Sequence, residues 1–365
     1  MMSEPLCVTV CEIPTAAWDA FAARCGASFR CARRALSLWQ FDHHLFHRMR
    51  RLEIHVGRDG AMHKIGQCAV GIGHRRRVFA DSLQLLPEYR HRWADAMRAV
   101  LQALGPGEYH YGSQWNLEEP REEALARLPG VSVTHVEALT VDVVDFSQWP
   151  SWDAYFRAVS SNAKRNAKRA QEQFPDMQVQ VRTGMGALRS WLALHRLRSM
   201  LAERKHLRIG GLLGLARFAM RTAALGGENF TAILHCGGEP AAGFAGLDFG
   251  PNTYYLQAGS QTHNGGAAWH LMLTMLARAH KRRPQGRFVM GAQYASQPRD
   301  EGLAFSRRQV RVSLVPTSEV TFRYETPRLT IVSPSVTPVT AREQIAQLPV
   351  AARLGLGLGT PAHLK

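Results

Sequence analysis

The sequence lacks long apolar runs and is poor in acidic residues. No stretch reaches the roughly 18 consecutive apolar residues that a membrane-spanning helix needs. Residues 1–13 also lack the charged, apolar and small-residue order of a signal peptide. We therefore expect a cytoplasmic protein without a transmembrane segment. At 365 residues and 45% apolar content, the chain is long enough for two domains with ordinary cores.

Motifs for metal binding and for nucleophilic catalysis are absent as well. The six cysteines form no C-x-x-C pair and show no zinc-type spacing, so we expect reduced, mostly buried thiols. The chain contains no H-E-x-x-H, G-x-S-x-G or Walker sequence. The sequence thus predicts no metal site and no tightly bound cofactor, and it does not indicate an oligomeric state.

Positive charge is in clear excess. The chain has 45 Lys and Arg against 29 Asp and Glu, for a formal net charge of +16. Such a balance favours polyanionic partners, namely nucleic acid, phosphorylated cofactors or an anionic membrane surface. A soluble enzyme from an arginine-rich proteome would show the same balance, so the charge alone assigns no function.

One segment concentrates this charge on a predicted helix. Between residues 147 and 176, apolar side chains recur at helical spacing: Phe156, Val159, Ala163, Ala167, Ala170 and Phe174. Basic side chains fall on the opposite face, chiefly Lys164, Arg165, Lys168 and Arg169. The pattern predicts an amphipathic basic helix. Its charged face is either a solvated surface or a contact surface for a phosphate backbone.

Residues 253–293 read as a strand, a loop, a helix and a second strand. The loop contains Gln261, Asn264, Gly265 and Gly266, and the helix that follows has one apolar face. A helix N-terminus presents unpaired N–H groups and partial positive charge, which suit a phosphate. Glycines would let a phosphate approach the backbone closely. An ordinary glycine-rich turn without a ligand is the alternative.

The order of predicted elements is the same in both halves of the chain. Each half reads β-α-α-β-β-β-α-β, although the two halves share little residue identity. We therefore predict an α+β protein with mixed, mostly antiparallel sheet flanked by helices. The predicted parts are an N-terminal domain (1–146), a connecting basic helix (147–176), a C-terminal catalytic domain (177–326) and a tail rich in Pro and Gly (327–365).

The second half resembles the BioF2-like GNAT acyltransferases, which are related to the Fem peptidoglycan aminoacyltransferases. Three stretches carry the resemblance: Ser160-Ser161-Asn162-Ala163-Lys164-Arg165-Asn166-Ala167-Lys168-Arg169-Ala170, Leu194-His195-Arg196-Leu197-Arg198, and the strand-loop-helix-strand of 253–293. The family's acyl-CoA loop reads Q/R-x-x-G-x-G/A. Gln261 and Gly266 match this pattern, whereas Asn264 replaces its first glycine. The resemblance implies two tandem GNAT-like domains, with a degenerate donor loop in the first.

The same resemblance implies that an amine attacks an activated carbonyl directly, without a covalent enzyme intermediate. The implied donor-binding residues are Gln257, Ala258, Gly259, Gln261, Asn264, Gly265 and Gly266. The implied phosphate or RNA contacts are Lys164, Arg165, Lys168 and Arg169, and the substrate-orienting residues are His195 and Arg198. The candidates for the proton acceptor are His270, Tyr294 and Glu301.

Two donors remain open, and so does a non-enzymatic function. An acyl-CoA donor fits the glycine loop, whereas an aminoacyl-tRNA donor fits the Fem kinship, the net charge and the basic helix. In either case the donor is a co-substrate, and the acceptor is an amine on a small molecule or a peptide. The rival hypothesis is a non-catalytic RNA-binding protein that retains the basic face on a GNAT scaffold.

Overall fold

A mixed β-sheet runs through the computed structural model, which describes residues 4–43, 47–58, 60–204, 212–261, 266–297 and 300–327. The strands are β1 (Leu6–Val10), β2 (Arg48–Arg58), β3 (Ala61–Ile72), β4 (Arg76–Phe79), β5 (Gln84–Leu85), β6 (Gly107–Tyr111), β7 (Val131–Asp145), β8 (Gln178–Thr183), β9 (Asn229–Cys236), β10 (Glu239–Phe249), β11 (Asn252–Ser260), β12 (Arg287–Tyr294) and β13 (Ser313–Tyr324). The predicted tail lies outside the described residues from residue 328 onward.

Helices cover both faces of this sheet. They are α1 (Ala16–Arg24), α2 (Arg33–His43), α3 (Trp93–Leu104), α4 (Glu122–Ala126), α5 (Trp152–Ala158), α6 (Ser161–Gln173), α7 (Trp191–Arg204), α8 (Leu212–Leu225), α9 (Ala267–Arg282) and α10 (Glu301–Gln309). The predicted α+β class with a mostly antiparallel sheet is confirmed. Within the described ranges, no helix is long and apolar enough to cross a membrane.

The strand order explains how the two halves join. The order is β1-β2-β3-β4-β6-β13-β7-β12-β11-β10-β9-β8, with β5 paired to β3. The last strand, β13, lies between β6 and β7 and is antiparallel to both. Strand β7 in turn pairs with β12. Residues 1–326 make one compact unit, and the predicted boundaries at 146 and 176 stay predictions.

A parallel strand pair occurs once in each half. Strand β4 pairs with β6 over three positions, and β11 pairs with β12 over three positions. Parallel neighbours need a crossover, which α3 provides in the first half and α9 in the second. The repeated element order predicted from the sequence therefore corresponds to two sheet segments of similar topology.

The core follows from the apolar faces of these elements. In α3, the side chains of Trp93, Met97, Val100 and Leu104 are buried, as their helical spacing predicts. A second cluster lies beneath α9. A third cluster packs the N-terminal helices against β7 and β10–β12, through residues that include Ala22, Ala35, Val141, Val143, Leu247 and Val289. The N-terminal helices therefore stabilise the second half of the sheet.

Two local predictions are wrong. The basic segment is not one helix, because α5 ends at Ala158 and Ser160 begins α6 by accepting a hydrogen bond from the backbone N–H of Ala163. The predicted element order also lacks helix α10, which precedes β13. Asp300 begins α10 by accepting a hydrogen bond from the Leu303 backbone N–H. None of the six cysteines forms a disulfide.

Candidate active site

Strands β11 and β12 part from each other and open a cleft. They pair only where Asn252–Tyr254 meet Arg287–Val289, although β11 continues to Ser260 and β12 to Tyr294. Along β11, Leu256 forms a bulge, because Tyr255 opposes Gly246 while Gln257 opposes Ala245. A bulge bends its strand and redirects the following residues. Beyond Tyr254, the described part of the chain gives β11 no strand partner on this side, so its backbone edge faces the cleft.

A buried ion pair lies where the two strands begin to part. The Arg307 guanidinium contacts the Asp142 carboxylate and donates a second hydrogen bond, of 2.6 Å, to the carbonyl oxygen of Met290. Both charged side chains are about 90% buried. Gly291 follows with a φ of 105°, a conformation that favours glycine. This ion pair therefore connects β7, β12 and α10 at the base of the cleft.

Helix α9 begins at the mouth of the cleft. Its N-terminal boundary is Gly266, with a φ of 101°, and its first turn has no acidic residue. An uncapped N-terminus of this kind carries partial positive charge and favours an anion. Asn264 and Gly265, which were predicted to bind the donor, lie outside the described residues. Gln261 donates a 2.7 Å hydrogen bond to the Pro240 carbonyl oxygen and so ties the end of β11 to β10.

Close packing explains two of the glycines assigned to donor binding. A methyl group at Gly266 would overlap the carbonyl oxygen of Asn166, so α6 lies directly against the first turn of α9. A methyl group at Gly259 would lie 2.5 Å from the backbone nitrogen of Arg198 in α7. Both positions therefore require glycine for the fold. Their predicted role in binding a donor stays a prediction.

The basic side chains of α6 do not all face solvent. The Lys164 ammonium donates to the carbonyl oxygens of Phe156 and Arg157, at 3.3 and 3.1 Å, and so caps the C-terminus of α5. Arg165, Lys168 and Arg169 are exposed. We call these three the α6 basic face. Helix α6 packs against the start of α9 through Asn166 and Ala170, so the α6 basic face belongs to a helix that borders the mouth of the cleft.

Two predicted residues on neighbouring elements meet at the cleft. The Arg198 guanidinium donates a 3.1 Å hydrogen bond to the Gln257 side-chain oxygen, and burial lowers the pKa of Arg198. His195 instead stacks on Trp191, with ring centroids 4.7 Å apart, which is a packing contact. Burial lowers the pKa of His270 in the first turn of α9, so its imidazole is neutral at pH 7. Glu301 is exposed in the first turn of α10.

A carboxylate that the sequence analysis missed lies beside Tyr294 at the end of β12. Glu319 of β13 accepts a 3.4 Å hydrogen bond from the Tyr294 hydroxyl and one from the backbone N–H of Gln114. His110 of β6 lies with its Nε2 3.7 Å from the same carboxylate. Burial raises the pKa of Glu319 and lowers that of His110. Burial also raises the pKa of Tyr294 to about 12.

This Glu319 cluster is not visible in the sequence, because its members come from three distant segments. Tyr294 and Glu319 are 25 positions apart, and His110 reaches them only because β13 inserts beside β6. A carboxylate with a raised pKa, held next to a phenol and an imidazole, is a stronger proton acceptor than an ordinary carboxylate. The Glu319 cluster is therefore a candidate general acid–base site.

Three cavities surround the cleft. One of about 260 Å³ lies between the halves and is lined by residues that include Arg30, Gln114, Trp115 and Leu256. It extends from Leu256, at the β11 bulge, to Gln114, whose backbone N–H donates to Glu319. A second, of about 130 Å³, is lined mainly by small or apolar residues, among them Ala242, Ala258, Gly259 and Leu271. A third, of about 170 Å³, is bounded by α9 and α10 and is mostly apolar.

Comparison with known proteins relates the chain to one family and to several solved folds. Residues 157–294 match the family described as Acetyltransferase (GNAT) domain. No curated protein sequence matches the chain. The fold is similar to the crystal structure of FemX, with a TM-score of 0.65 and 12% identity over 87% of this chain and 98% of that one.

Two further solved structures are similar. A conserved protein of unknown function from Bacteroides thetaiotaomicron VPI-5482 has a TM-score of 0.53 and 14% identity, over 87% of this chain and all of that one. A tandem GNAT protein from the clavulanic acid biosynthesis pathway has a TM-score of 0.45 and 10% identity, over 87% of this chain and 97% of that one. The similarity to FemX confirms the predicted GNAT/Fem-like fold.

Proposed function

We propose that this chain, whose fold is GNAT/Fem-like, transfers an acyl or aminoacyl group from an activated, phosphate-bearing donor to an amine. The observation that carries the proposal is the parting of β11 and β12 beside the N-terminus of α9. The cleft offers an unpaired strand edge for an acyl carbonyl and a helix N-terminus for a phosphate within one short segment of chain.

In the proposed reaction, the amine nitrogen attacks the donor's carbonyl carbon, and the bond to the leaving oxygen or sulfur then breaks. Backbone N–H groups along the free edge of β11 stabilise the negative charge that develops on the carbonyl oxygen. Glu319 accepts the proton that the amine loses, directly or through a water molecule, and this proton then passes to the leaving oxygen or sulfur. The Tyr294 hydroxyl orients the Glu319 carboxylate through its 3.4 Å hydrogen bond.

The sizes of the cavities favour binding of the acyl group in one cavity and of the acceptor amine in another. The cavity of about 130 Å³ beside Ala258 and Gly259 is small and mostly apolar, which suits a short acyl chain or a small amino-acid side chain. The cavity of about 260 Å³ between the halves gives a small-molecule or peptide amine a route toward Glu319. Substrates with bulky acyl groups should therefore be poor.

An aminoacyl-tRNA is the donor that we favour. The α6 basic face adds three exposed cations on the helix that packs against the α9 N-terminus, although Lys168 pairs with Glu172 at 3.5 Å. Over the whole chain the net charge is +16. A donor with an extended phosphate backbone uses this surface, because each cation that contacts a phosphate releases a counterion.

Acyl-CoA is the second candidate, and the third cavity supports it. This space of about 170 Å³ extends from Tyr255 past Trp269 and Met272 to α10. Its mostly apolar lining suits an extended, weakly polar arm between the helix N-terminus and the reacting carbonyl. An acyl-CoA donor would need little of the α6 basic face.

Binding and transfer measurements distinguish these donors. Nucleic-acid-free protein is titrated with bulk tRNA and with acetyl-CoA, each at two salt concentrations. In a variant with Arg165, Lys168 and Arg169 changed to Glu, we expect weaker tRNA binding and a log–log salt slope smaller by about two to three. The matched control changes the exposed Arg127 and Arg323 to Glu and should leave the slope unchanged.

Transfer itself is measured with a pool of charged tRNAs or with acetyl-CoA, and with a mixture of amines. Tight, salt-sensitive tRNA binding together with transfer from charged tRNA would support the favoured donor. Micromolar acetyl-CoA affinity, together with tRNA binding that disappears at moderate salt, would support acyl-CoA as the donor. tRNA binding without transfer from either donor would contradict the enzyme and support a non-catalytic RNA-binding protein.

A further inference from the structure

The first half of the chain contains a cavity of its own. Strands β4 and β6 pair in parallel at three positions, as β11 and β12 do in the second half. A cavity of about 500 Å³ lies between the end of α1, residues 82–85, the start of α3 and residues 116–121. Its volume is within the range of small-molecule sites. All of its lining residues except Arg287 precede the part of the chain that matches the acetyltransferase family.

This N-terminal cavity differs from a phosphate-binding loop. The turn that leads into α3, Pro87–Arg92, is a 3₁₀ helix that contains no glycine. The polar groups in the cavity wall are instead side chains of both signs. They include Arg90, Glu118 and Arg121. A ligand for this site therefore needs to complement guanidinium and carboxyl groups together.

Arg90 supplies a cation without a carboxylate partner. Its guanidinium donates one hydrogen bond, of 3.2 Å, to the Cys25 carbonyl oxygen, and the described part of the chain shows no acidic side chain paired with it. Four of its five N–H groups are thus available to a ligand. Arginine presents these donors in a planar fork that matches a carboxylate.

Arg121 holds the opposite part of the wall. It pairs at 2.8 Å with Glu119, whose side chain is 73% exposed, and it lies over the Trp93 ring at 4.9 Å. Its Nε is buried and, among the described residues, has no hydrogen-bond partner. A buried donor without a partner costs free energy unless a ligand or water accepts its hydrogen bond. Arg287 also reaches the cavity, but it pairs with Asp145 at 3.0 Å.

Glu118 supplies the negative group. Its carboxylate accepts hydrogen bonds from the Ser82 and Tyr111 hydroxyls, at 3.3 and 3.2 Å, and both donors are neutral. Burial raises the pKa of Glu118 to about 7, against the opposing effect of the Arg121 charge. A cationic ligand group beside this carboxyl would favour its ionised form.

We propose that this N-terminal cavity binds a small zwitterion, an α-amino acid or the end of a short peptide, with its carboxylate on Arg90 and its ammonium at Glu118. The buried Nε of Arg121 offers a further donor to the ligand. This site is separate from the cleft between β11 and β12, and it needs no bound donor.

The test uses the full chain and a panel of the proteinogenic L-amino acids, first by thermal shift and then by calorimetric titration. We expect at least one amino acid to bind, with an affinity that falls at least about tenfold in Arg90→Met and in Glu118→Gln. The amide introduced by Glu118→Gln would still accept from the Tyr111 hydroxyl through its oxygen and could donate to the Ser82 hydroxyl through its NH₂ group, and Arg90 is exposed, so both variants should fold. Arg98→Met and Glu123→Gln are the matched surface controls and should bind as the parent does.

Simpler probes decide whether both charges are recognised. The amide of the best amino acid lacks the carboxylate, and its des-amino acid lacks the ammonium, so each should bind at least about tenfold more weakly. Inorganic phosphate or acetate binding as tightly as the amino acid would contradict recognition of a zwitterion. No binding by any member of the panel, or equal binding by the parent, Arg90→Met and Glu118→Gln, would overturn the proposal.

Discussion

Replacing Glu319 by Gln removes the proposed proton acceptor and little else. Gln has nearly the same shape, and its side-chain oxygen can still accept a hydrogen bond from the Tyr294 hydroxyl. The amide cannot accept a proton from the attacking amine. Because a positioned general base contributes about 10²- to 10⁴-fold, we expect kcat/KM to fall by that factor. This corresponds to roughly 3–5 kcal/mol of transition-state stabilisation.

The pH profile separates lost basicity from lost structure. Burial raises the pKa of Glu319, so the parent's kcat/KM should fall as the pH decreases through this raised pKa. The Glu319→Gln variant should lack this acidic limb. Its stability should change in the opposite sense to its activity. A group with a raised folded-state pKa loses stability as the pH rises through that pKa, so the Gln variant should be more stable than the parent above it.

The assay is steady-state transfer with the donor found to be active, measured across the acidic and neutral range beside chemical denaturation at the same pH values. Glu325→Gln is the control, because Glu325 follows the same strand and its side chain is 70% exposed. Near-parental kcat/KM in Glu319→Gln, or a retained acidic limb, would refute Glu319 as the base. His270, Tyr294 and Glu301 would then be the next candidates.

Three further predictions concern stability and are measured by denaturant unfolding. Glu118→Gln should stabilise the protein by up to about 3 kcal/mol at pH 8 and have little effect near pH 4, because the folded-state pKa of Glu118 is about 7; equal effects at both pH values would contradict this. Gly259→Ala should cost roughly 1–3 kcal/mol, since its methyl group would lie 2.5 Å from the Leu197 carbonyl carbon, and unchanged stability would contradict that packing. Arg307→Met should cost roughly 3–5 kcal/mol by leaving Asp142 buried and unpaired, and the double variant with Asp142→Asn should recover part of this loss.

Local patterns were sufficient to predict the centre of the second half. The apolar spacing of residues 268–279 predicts a helix ending near Arg283, and α9 ends at Arg282. Strands β11 and β12, on either side of this helix, also occur within the predicted strand-loop-helix-strand of residues 253–293. These features depend on interactions between residues close in sequence, which periodicity reports directly.

The insertion of β13 between β6 and β7 could not be predicted in the same way. Strand β13 lies between β6 and β7 because its residues complement both edges, and no local signal specifies a partner about 180 to 210 positions away. The Glu319 cluster depends on this pairing, so it was missed for the same reason. Helix α10 was missed because its nine residues give a short and weak period.

Glycines illustrate a different limit of sequence reasoning. Gly259 and Gly266 were assigned to donor binding because a glycine lets another group come close to the backbone. The sequence alone does not say whether that group is a ligand or another part of the chain. In the structure, α7 and α6 make those approaches. A Gly266→Trp variant would therefore disturb the packing of α6 on α9 as well as any donor site, and it is a poor test of the loop.

The most direct test of the proposed function is hydrogen–deuterium exchange on the full chain with bulk tRNA or acetyl-CoA, whichever binds. Among the residues that the structure describes, the backbone N–H groups of residues 256–260 of β11 and of the first turn of α9 have no strand or helix partners on the cleft side. We predict that the donor slows exchange in both segments and leaves the distant strands β1 and β2 unchanged. Saturating donor that protects neither segment would contradict the cleft between β11 and β12 as the donor site.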